Sequence, residues 1–443
     1  MKQKFQLPAL LLCLCLLALS ACNKSTSVLP AGTEDKAVPA VKGDIMPNTG
    51  ITSPVRAMWL SQYEIAALCT EDGKKPCSSD IFLQRIARLT DNLKACGIRT
   101  LFVQVRPNTD SFYPSALFPL SAFVTGSDRV QPDFDVFGTL CEQLTAAGIA
   151  VHAWLNPYRS MTATELKSLP ARYPVAGWFA SDGDRGRLIV EVNGRFWLNP
   201  AYEEVQRLIL LGAEEILTRY PAVQGLHIDD YFYPTTDPAF DADACREYRE
   251  GGGTLATDDF RRNCVNRTVS ALWRLCHRYG KAFGVSPGGN TDRNYRELYA
   301  DVALWCRESG YLDYLCPQVY FGLEHGSCPF AETCREFSDM AKAGNIPLII
   351  GMTSEKAWAA SCGKTDIWAG VGKNEWLEHR DILFRCLKVT QTVPGCVGVS
   401  LFGYRLFFDP VTGQKIPGTA EEAAALFAAL PDATWEIPYQ TAP

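Results

Sequence analysis

The chain has 443 residues, of which 47% are hydrophobic and 11% aromatic, so it can bury a large core in one large domain or up to three small ones. Lys and Arg total 43 against 49 Asp and Glu, and the formal charge of −6 provides no basic surface of the kind that binds nucleic acid. Nucleic acid is therefore excluded as an expected partner.

The chain begins with a pattern typical of bacterial export. Lys2 and Lys4 precede an apolar run at residues 7–19 that is too short for a stable membrane anchor. Residues 19–22, Leu-Ser-Ala-Cys, resemble a bacterial lipobox. The resemblance implies cleavage before Cys22 and attachment of lipid to its sulfur, which would hold the protein on a membrane surface.

The segment after Cys22 has almost no large apolar residues. We therefore predict a signal peptide at residues 1–21 and a flexible tether at residues 22–53. Asn23 and Lys24 do not form an acidic retention signal, so we expect an exported, lipid-anchored protein in the outer membrane of a diderm cell.

From residue 55 onward, short β-rich runs alternate with longer amphipathic segments, several of which end at a glycine. The pattern predicts strands at 55–60, 100–105, 149–155, 282–286, 312–319, 347–352 and 396–401, and between the third and fifth of the series a strand that begins at 225 and ends in the carboxylates at 229 and 230. It predicts helices at 80–95, 134–147, 202–219, 258–279 and 421–430. Asn193-Gly194 between two β-rich runs predicts a hairpin inside a long connection.

Eight strand-then-helix units predict an α/β fold, a (β/α)8 TIM barrel with loop insertions, at residues 54–432, followed by a tail at 433–443. The alternative is a doubly wound open sheet. No Gly-x-Gly-x-x-Gly turn follows an early strand, which disfavours that alternative.

The fourth predicted strand ends in two adjacent carboxylates. Asp229 and Asp230 follow the apolar run 225–228, and in an extended strand His227 and Asp229 share one face while Asp230 points to the other. Two neighbouring carboxylates repel each other, so such a pair is buried only where something offsets the repulsion. A helix cap or a surface pair is the alternative, but the aromatic residues 231–233 favour a cleft wall.

Polar and aromatic residues follow most of the predicted strands, at the end of a barrel where active sites are built. Aromatic platforms interleaved with amides and carboxylates suit sugar rings, although any single aromatic residue can equally belong to the core. These residues are Trp59, Gln104, Arg106, Trp154, Asn156, Tyr158, Arg159, Ser286, Asn290, Gln318, Tyr320, Glu355, Tyr404 and Arg405.

Three of the 17 cysteines lie at or before residue 22, and fourteen follow in a domain where export permits disulfides. The best local candidates pair Cys69 with Cys77 and Cys328 with Cys334. The chain has no Cys-x-x-Cys motif and its five histidines are scattered, so we expect neither a metal nor another cofactor.

Seven motifs together resemble the signature of the glycosyl-hydrolase-like family 10 barrels, in the right order over about residues 53–430. They lie at residues 55–60, 102–107, 152–159, 197–200, 227–234, 261–263 and 317–320. The family's bacterial lipoproteins include enzymes that act on peptidoglycan glycan strands stripped of their stem peptides, which implies such a substrate here. Residues 286–289 depart from the family pattern because no aromatic residue follows the proline.

The Asp pair also resembles the arrangement in O-linked N-acetylglucosaminidases, where neighbouring acids hold the substrate acetamide and protonate the leaving group. This resemblance implies Asp230 as general acid and Asp229 as the orienting carboxylate. The competing assignment makes one of the pair a nucleophile and Glu355 the acid. Arg106 and Arg159 are candidates for binding lactyl carboxylates, or else structural ties at the barrel rim.

The expected partner is thus a glycan, bound also by His227 and Tyr231 beside the Asp pair. Two other functions remain open from the sequence: a non-catalytic carbohydrate-binding lipoprotein, and a hydrolase of dietary or capsular polysaccharide. The sequence does not specify linkage, endo or exo action, or oligomeric state.

Overall fold

The computed structural model describes residues 53–435, and eight parallel strands in it close into a barrel. The predicted (β/α)8 barrel is therefore confirmed. The predicted signal peptide, nearly all of the tether and most of the tail lie outside the described residues. The barrel strands are β1 (Val55–Leu60), β2 (Thr100–Arg106), β3 (Ala150–Leu155), β4 (Gly225–Ile228), β5 (Ala282–Val285), β6 (Tyr314–Leu315), β7 (Leu348–Thr353) and β8 (Cys396–Phe402).

Each strand pairs with its neighbours in chain order, and β1 closes the barrel against β8 with Val55 opposite Gly398. The sixth strand is much shorter than the predicted 312–319. Pro317 has no N–H to donate to a neighbouring strand, so the ladder stops after Leu315. Gln318 rejoins the sheet through single bridges to Gly288 and Gly351.

Helices connect the strands and cover the barrel, and none among the described residues is long and apolar enough to cross a membrane. Single turns of 3-10 helix lie between several of them. The α-helices span Gln62–Cys69, Ser79–Ala95, Ala122–Thr125, Val136–Ala146, Ala163–Lys167, Pro174–Ala180, Glu203–Arg219, Ala242–Glu250, Thr257–Arg278, Thr291–Arg296, Val302–Arg307, Phe330–Lys342, Glu355–Ser361, Glu375–Glu378, Ile382–Thr390 and Ala420–Ala429.

The predicted hairpin in the long connection after β3 is present, with strands Ile189–Val192 and Arg195–Leu198. Asn193 and Gly194 form its turn with φ of 52° and 76°, which explains the choice of these two residue types. A second, smaller hairpin joins Thr70–Glu71 to Lys75–Pro76.

Large rings fill the inside of the barrel. Trp59, Phe102 and Tyr314 pack together there and are at most 2% exposed. Glycine on the neighbouring strand provides the space, since a Cβ on Gly284 would overlap the ring of Tyr314. The interior is therefore a packed core, and substrate can be bound only above it, at the mouth.

Every cysteine of residues 53–435 is a free thiol, so both predicted disulfides are wrong. Cys69 and Cys77 lie opposite each other at the small hairpin, but their sulfurs point to carbonyl oxygens, of Phe123 and Leu68 respectively. Burial raises the pKa of the Cys69 thiol well above its usual value. Thiols so placed behave as small buried hydrophobic groups.

Candidate active site

Asp229 leaves the end of β4 at the barrel mouth and is 3% exposed. Its Oδ2 accepts a hydrogen bond from Trp154 Nε1 at 2.9 Å, and its Oδ1 accepts one from the Tyr231 backbone N–H at 3.3 Å. Both oxygens therefore face donors that stabilise the carboxylate. Trp154, predicted to bind substrate, is itself buried and positions Asp229.

Asp230 is more accessible and lies on the other side of the same turn. It hydrogen-bonds with the side chain of Gln318, whose Nε2 also donates to the Ser286 carbonyl at 3.0 Å. A Cβ on Gly288 would lie 3.3 Å from Asp230 Oδ2, so the glycine keeps this side of the carboxyl group open. Ser286 and Gln318, both predicted at the site, thus meet at Asp230.

The two carboxyl groups perturb each other. Burial raises the pKa of both, and the charge of Asp230 raises the pKa of Asp229 further. The donors from Trp154 and Tyr231, and the nearby Arg159, act in the opposite direction on Asp229. A buried pair of this kind holds a shared proton at a higher pH than a solvated carboxyl does.

Below the pair, a chain of hydrogen bonds crosses the barrel interior. Trp59 Nε1 donates to His227 Nε2 at 3.2 Å, so His227 carries its proton on Nδ1 and donates to the Tyr314 oxygen at 3.1 Å. Tyr314 in turn donates to His152 Nδ1 at 3.0 Å. Burial lowers the pKa of both histidines, that of His152 to about 4, so both rings are neutral.

These hydrogen bonds give two of the predicted substrate-binding residues a structural role. His227 is fully buried and stacks on Phe102 with ring centroids 4.1 Å apart, and Trp59 is 2% exposed. Neither ring is accessible to a sugar at the mouth. Both lie in the layer that supports the site, and Tyr320 packs edge-on against Trp59 at 6.4 Å as the next ring outward.

One wall of the mouth is formed by exposed or half-buried side chains. The Arg159 guanidinium lies 4.9 Å above the Tyr231 ring, and Trp197 lies 6.1 Å from the same ring. Tyr231 is 37% exposed. Arg159 and Tyr231 therefore lie where the sequence predicted them, beside the Asp pair.

Gln104 and Asn156 form a buried amide pair at the ends of β2 and β3. Gln104 Nε2 donates to Asn156 Oδ1 at 2.9 Å, and Gln104 Oε1 accepts from the Gln62 backbone N–H at 2.8 Å. Tyr158, two residues further along, is 1% exposed and belongs to the core. All three hold the loops of the mouth and are covered by other residues.

Two further predicted residues lie at the rim. Glu355 is exposed at the start of the helix Glu355–Ser361, close enough to Tyr320 for their charges to interact. Asn290 is exposed and caps the helix Thr291–Arg296 by accepting from the Arg293 backbone N–H at 2.8 Å. The cap gives Asn290 a structural role that the sequence did not indicate.

Arg106 is not part of the mouth, contrary to the prediction. A register shift in the pairing of β2 with β3 between Gln104 and Arg106 places the guanidinium on the barrel flank. It lies 4.6 Å above the Phe118 ring and against Gly212, where a Cβ would collide with it. Arg106 is 2% exposed and cannot contact a substrate at the mouth.

The sequence prediction missed Arg195 and Trp197, which reach the wall of the mouth from the hairpin. They are two residues apart on one strand, so their side chains share a face. That alternation was readable in the sequence, but which face meets the mouth depends on the pairing of the hairpin with residue 159.

A barrel of this type, with paired acids after its fourth strand and a sugar-sized aromatic wall beside them, has the architecture of a glycoside hydrolase. The chain belongs to the glycosyl hydrolase-like 10 family, whose pattern it matches over residues 54–368. The class of enzyme is therefore that of the glycoside hydrolases.

Proteins similar to this chain are consistent with that membership. It is 28% identical over 441 residues to glycosyl hydrolase DigH of Escherichia coli strain K12, covering 92% of this chain and 93% of that protein. It is 29% identical over 337 residues to glycosyl hydrolase YngK of Bacillus subtilis strain 168, covering 70% and 62%. The fold is similar to the PgaB glycoside hydrolase domain of Bordetella bronchiseptica, with a TM-score of 0.51, 13% identity, and coverage of 88% and 100%.

Proposed function

We propose that this enzyme cleaves the N-acetylated glycan strands of bacterial cell wall after their stem peptides have been removed. One observation carries the proposal: Asp229 and Asp230 lie side by side at the barrel mouth, the first buried and held by two N–H donors and the second half-buried beside Gly288. Such a pair suits a substrate whose own acetamide takes part in the reaction.

In this mechanism Asp229 is the charged partner and Asp230 carries the shared proton. The Asp229 carboxylate accepts from the N–H of the substrate acetamide and directs the acetamide oxygen at the anomeric carbon. A bond forms between that oxygen and the anomeric carbon while the glycosidic bond breaks, and the leaving oxygen takes the proton of Asp230. Water, deprotonated by Asp230, then opens the cyclic intermediate and restores the acetamide.

Burial and the charge of Asp230 both raise the pKa of Asp229, so this division of roles rests on the hydrogen bonds that the two residues make. Protonation of Asp229 would place an O–H opposite one of its two donors, since the Trp154 indole N–H and the Tyr231 backbone N–H both donate and cannot accept a hydrogen bond. Asp230 faces the side that Gly288 leaves open. The competing mechanism, with Glu355 as acid, needs a residue that lies exposed at the rim to reach the glycosidic oxygen.

The test uses the purified protein on stripped glycan strands and on intact peptidoglycan, with products identified by mass spectrometry. We expect fragments from the stripped strands, and a thiazoline that mimics the cyclic intermediate should block their release. Binding of stripped strands without any product after long incubation would contradict hydrolysis. Cleavage of a dietary or capsular polysaccharide in place of the stripped strands would contradict the proposed substrate.

We also propose that the enzyme reaches this substrate from a membrane, through lipid on Cys22. Replacement Cys22→Ser should move the protein from the membrane fraction to the soluble fraction, measured by immunoblotting of fractionated cells. Unchanged membrane retention of that variant would contradict the anchor.

A further inference from the structure

We propose that Arg159 and Arg195 form a subsite for a carboxylate of the glycan, next to the Asp pair. The inference rests on the proposed function and narrows its substrate class to strands with free acid groups. It is carried by the position, the missing partners and the charge of these two arginines.

The position follows from backbone pairing. Residue Arg159 pairs in antiparallel fashion with Trp197, flanked by hydrogen bonds from the Ser160 N–H to the Phe196 carbonyl and from the Leu198 N–H to the Tyr158 carbonyl. Residues directly opposite each other in such a pair point to the same face. Arg195 is two residues from Trp197, so both arginines and the Trp197 ring occupy one face of this small sheet.

Arg159 forms no ion pair or side-chain hydrogen bond with another residue of 53–435, and its guanidinium lies over the face of Tyr231. Tyr231 directly follows the two aspartates, and Arg159 is close enough to Asp229 to influence its charge. The guanidinium thus lies over a ring beside the Asp pair, and its N–H groups have no acceptor among the described residues.

Arg195 is held in place by one of its nitrogens and free at the others. Its Nη1 donates to Asn108 Oδ1 at 3.1 Å and to the Ser160 carbonyl. The remaining N–H groups have no acceptor among the described residues. A fixed guanidinium with free donors loses little conformational freedom when it binds a planar carboxylate.

The two charges repel each other, and the nearby carboxylates are already engaged. Burial and the charge of Arg159 lower the pKa of Arg195, and the charges of Glu165 and Asp110 raise it only in part. Glu165 accepts from the Thr162 N–H and hydroxyl at 2.8 and 2.7 Å, and Asp110 accepts from the Asn108 N–H at 2.8 Å. An anion between the arginines would relieve this repulsion.

Two other arginines nearby on the surface, unlike Arg159 and Arg195, form ion pairs. Arg185 pairs with Asp182 at 2.7 Å, and Arg187 pairs with Asp184 at 3.3 Å and with Glu204 at 3.1 Å. All of these belong to the same long connection between β3 and β4. Arg185 and Arg187 thus form ion pairs within the connection, whereas Arg159 and Arg195 form no ion pair with another described residue.

The chemistry of the wall glycan identifies the anion. N-acetylmuramic acid carries a lactyl carboxylate, which is an ion when the strand has been stripped and a neutral amide when a stem peptide is attached. A pair of guanidiniums beside the reaction centre would therefore favour stripped strands over peptide-bearing ones by charge, without needing a steric block.

The experiment measures equilibrium binding by calorimetry in an Asp230→Asn background, so that the ligand persists. The ligands are a tetrasaccharide of alternating N-acetylglucosamine and N-acetylmuramic acid with free carboxylates, its bis-methylamide, and neutral chitotetraose. The variants are Arg159→Gln and Arg195→Gln, with Arg274→Gln as a control that removes the same charge from an exposed helix position. Hydrolysis by the wild-type enzyme is measured separately.

We expect the free acid to bind about ten- to a hundredfold more tightly than the bis-methylamide, as charged hydrogen bonds require. Arg159→Gln and Arg195→Gln should each reduce that ratio strongly by weakening the acid alone, while Arg274→Gln leaves it unchanged. Equal binding of acid and amide, or equal weakening of both by the variants, would overturn the subsite. Failure of the proposed function has a different signature, namely no hydrolysis of any strand by the wild-type enzyme.

Discussion

Two regions of the barrel contain an arginine that follows a strand and lies on an aromatic ring. On the flank, Arg106 ends β2 and lies 4.6 Å above Phe118, whereas at the mouth Arg159 follows β3 and lies 4.9 Å above Tyr231. The first is buried and the second is half-exposed. The same residue type near a strand end therefore serves packing in one region and lies half-exposed at the mouth in the other.

The difference comes from one irregularity in strand pairing. The register of β2 against β3 shifts between Gln104 and Arg106, and such a bulge turns the following side chain away from its expected face. No shift precedes Arg159, which bridges to Trp197. A motif at a strand end therefore identifies a site residue only together with the local register.

The largest expected effect is at the mouth, on Asp230. Asp230→Asn removes the proposed proton donor, so kcat on stripped strands should fall by about 10²–10⁴-fold. The circular dichroism spectrum should stay unchanged because the amide is isosteric. Asp182→Asn, at an exposed position, is the matched control and should keep full activity. Full activity of Asp230→Asn would show that Asp230 is not the general acid.

The next largest effect concerns the support of Asp229. Trp154→Phe keeps the ring but removes the N–H that donates to Asp229 Oδ2, a hydrogen bond to a charged group worth about 1.5–3 kcal/mol. We therefore expect kcat to fall by about ten- to a hundredfold. Loss of this donor raises the pKa of Asp229, so the acid limb of the pH–rate profile should move to higher pH. A lower kcat with an unmoved limb would indicate a purely structural role for Trp154.

A direct test of the contrast replaces each arginine in turn. Arg106→Met should leave kcat/KM within about twofold, since an apolar residue often replaces a buried charge without loss of stability. Arg159→Met should raise KM on stripped strands while leaving the melting temperature unchanged, because Arg159 has no internal ion pair. A large increase in KM for Arg106→Met would contradict the conclusion that Arg106 on the flank has no contact with substrate.

The smallest expected effect is on stability. Burial raises the pKa of Asp230 in the folded chain, so between the unfolded and folded pKa values the native state holds a proton that the unfolded state releases. Wild-type stability is therefore lost as pH rises through that window. Asp230→Asn removes this loss, and its melting temperature should gain on the wild type by a few degrees as the pH rises above the unfolded pKa of about 4. A difference independent of pH would contradict the raised pKa.

Most of the fold was predictable because the chain marks the ends of its elements. Seven of the eight predicted strands fall within about two residues of those observed, and Gly97 and Gly148 adopt the positive φ that ends the helices before β2 and β3. The length of the sixth strand was overestimated because its apolar residues continue past Pro317. The helix Gln62–Cys69 was not predicted, although Ser61 and Glu64 form a capping box at its start.

The sequence predicted which strand ends form the site, but not which of their side chains lie at the mouth and which lie buried below it. Strand alternation indicated that His227 and Asp229 share one face, but alternation cannot tell a residue in an interior layer of the barrel from one at its mouth. The bulge that moved Arg106 has no sequence signal in this chain. Arg195 was missed since the face of its strand is set by the pairing of Trp197 with Arg159, 38 residues earlier in the chain.

The hydrogen bonds through the barrel interior allow glycan binding to be followed through the NMR signals of two histidines. His227 carries its proton on Nδ1 and His152 on Nε2, so the two rings should give opposite tautomer patterns in a ¹⁵N spectrum. Because Trp59 donates directly to His227 and packs against Tyr320 above, a sugar that displaces Tyr320 should shift the His227 signals before those of His152. Occupancy of the mouth then becomes measurable with an unlabelled glycan.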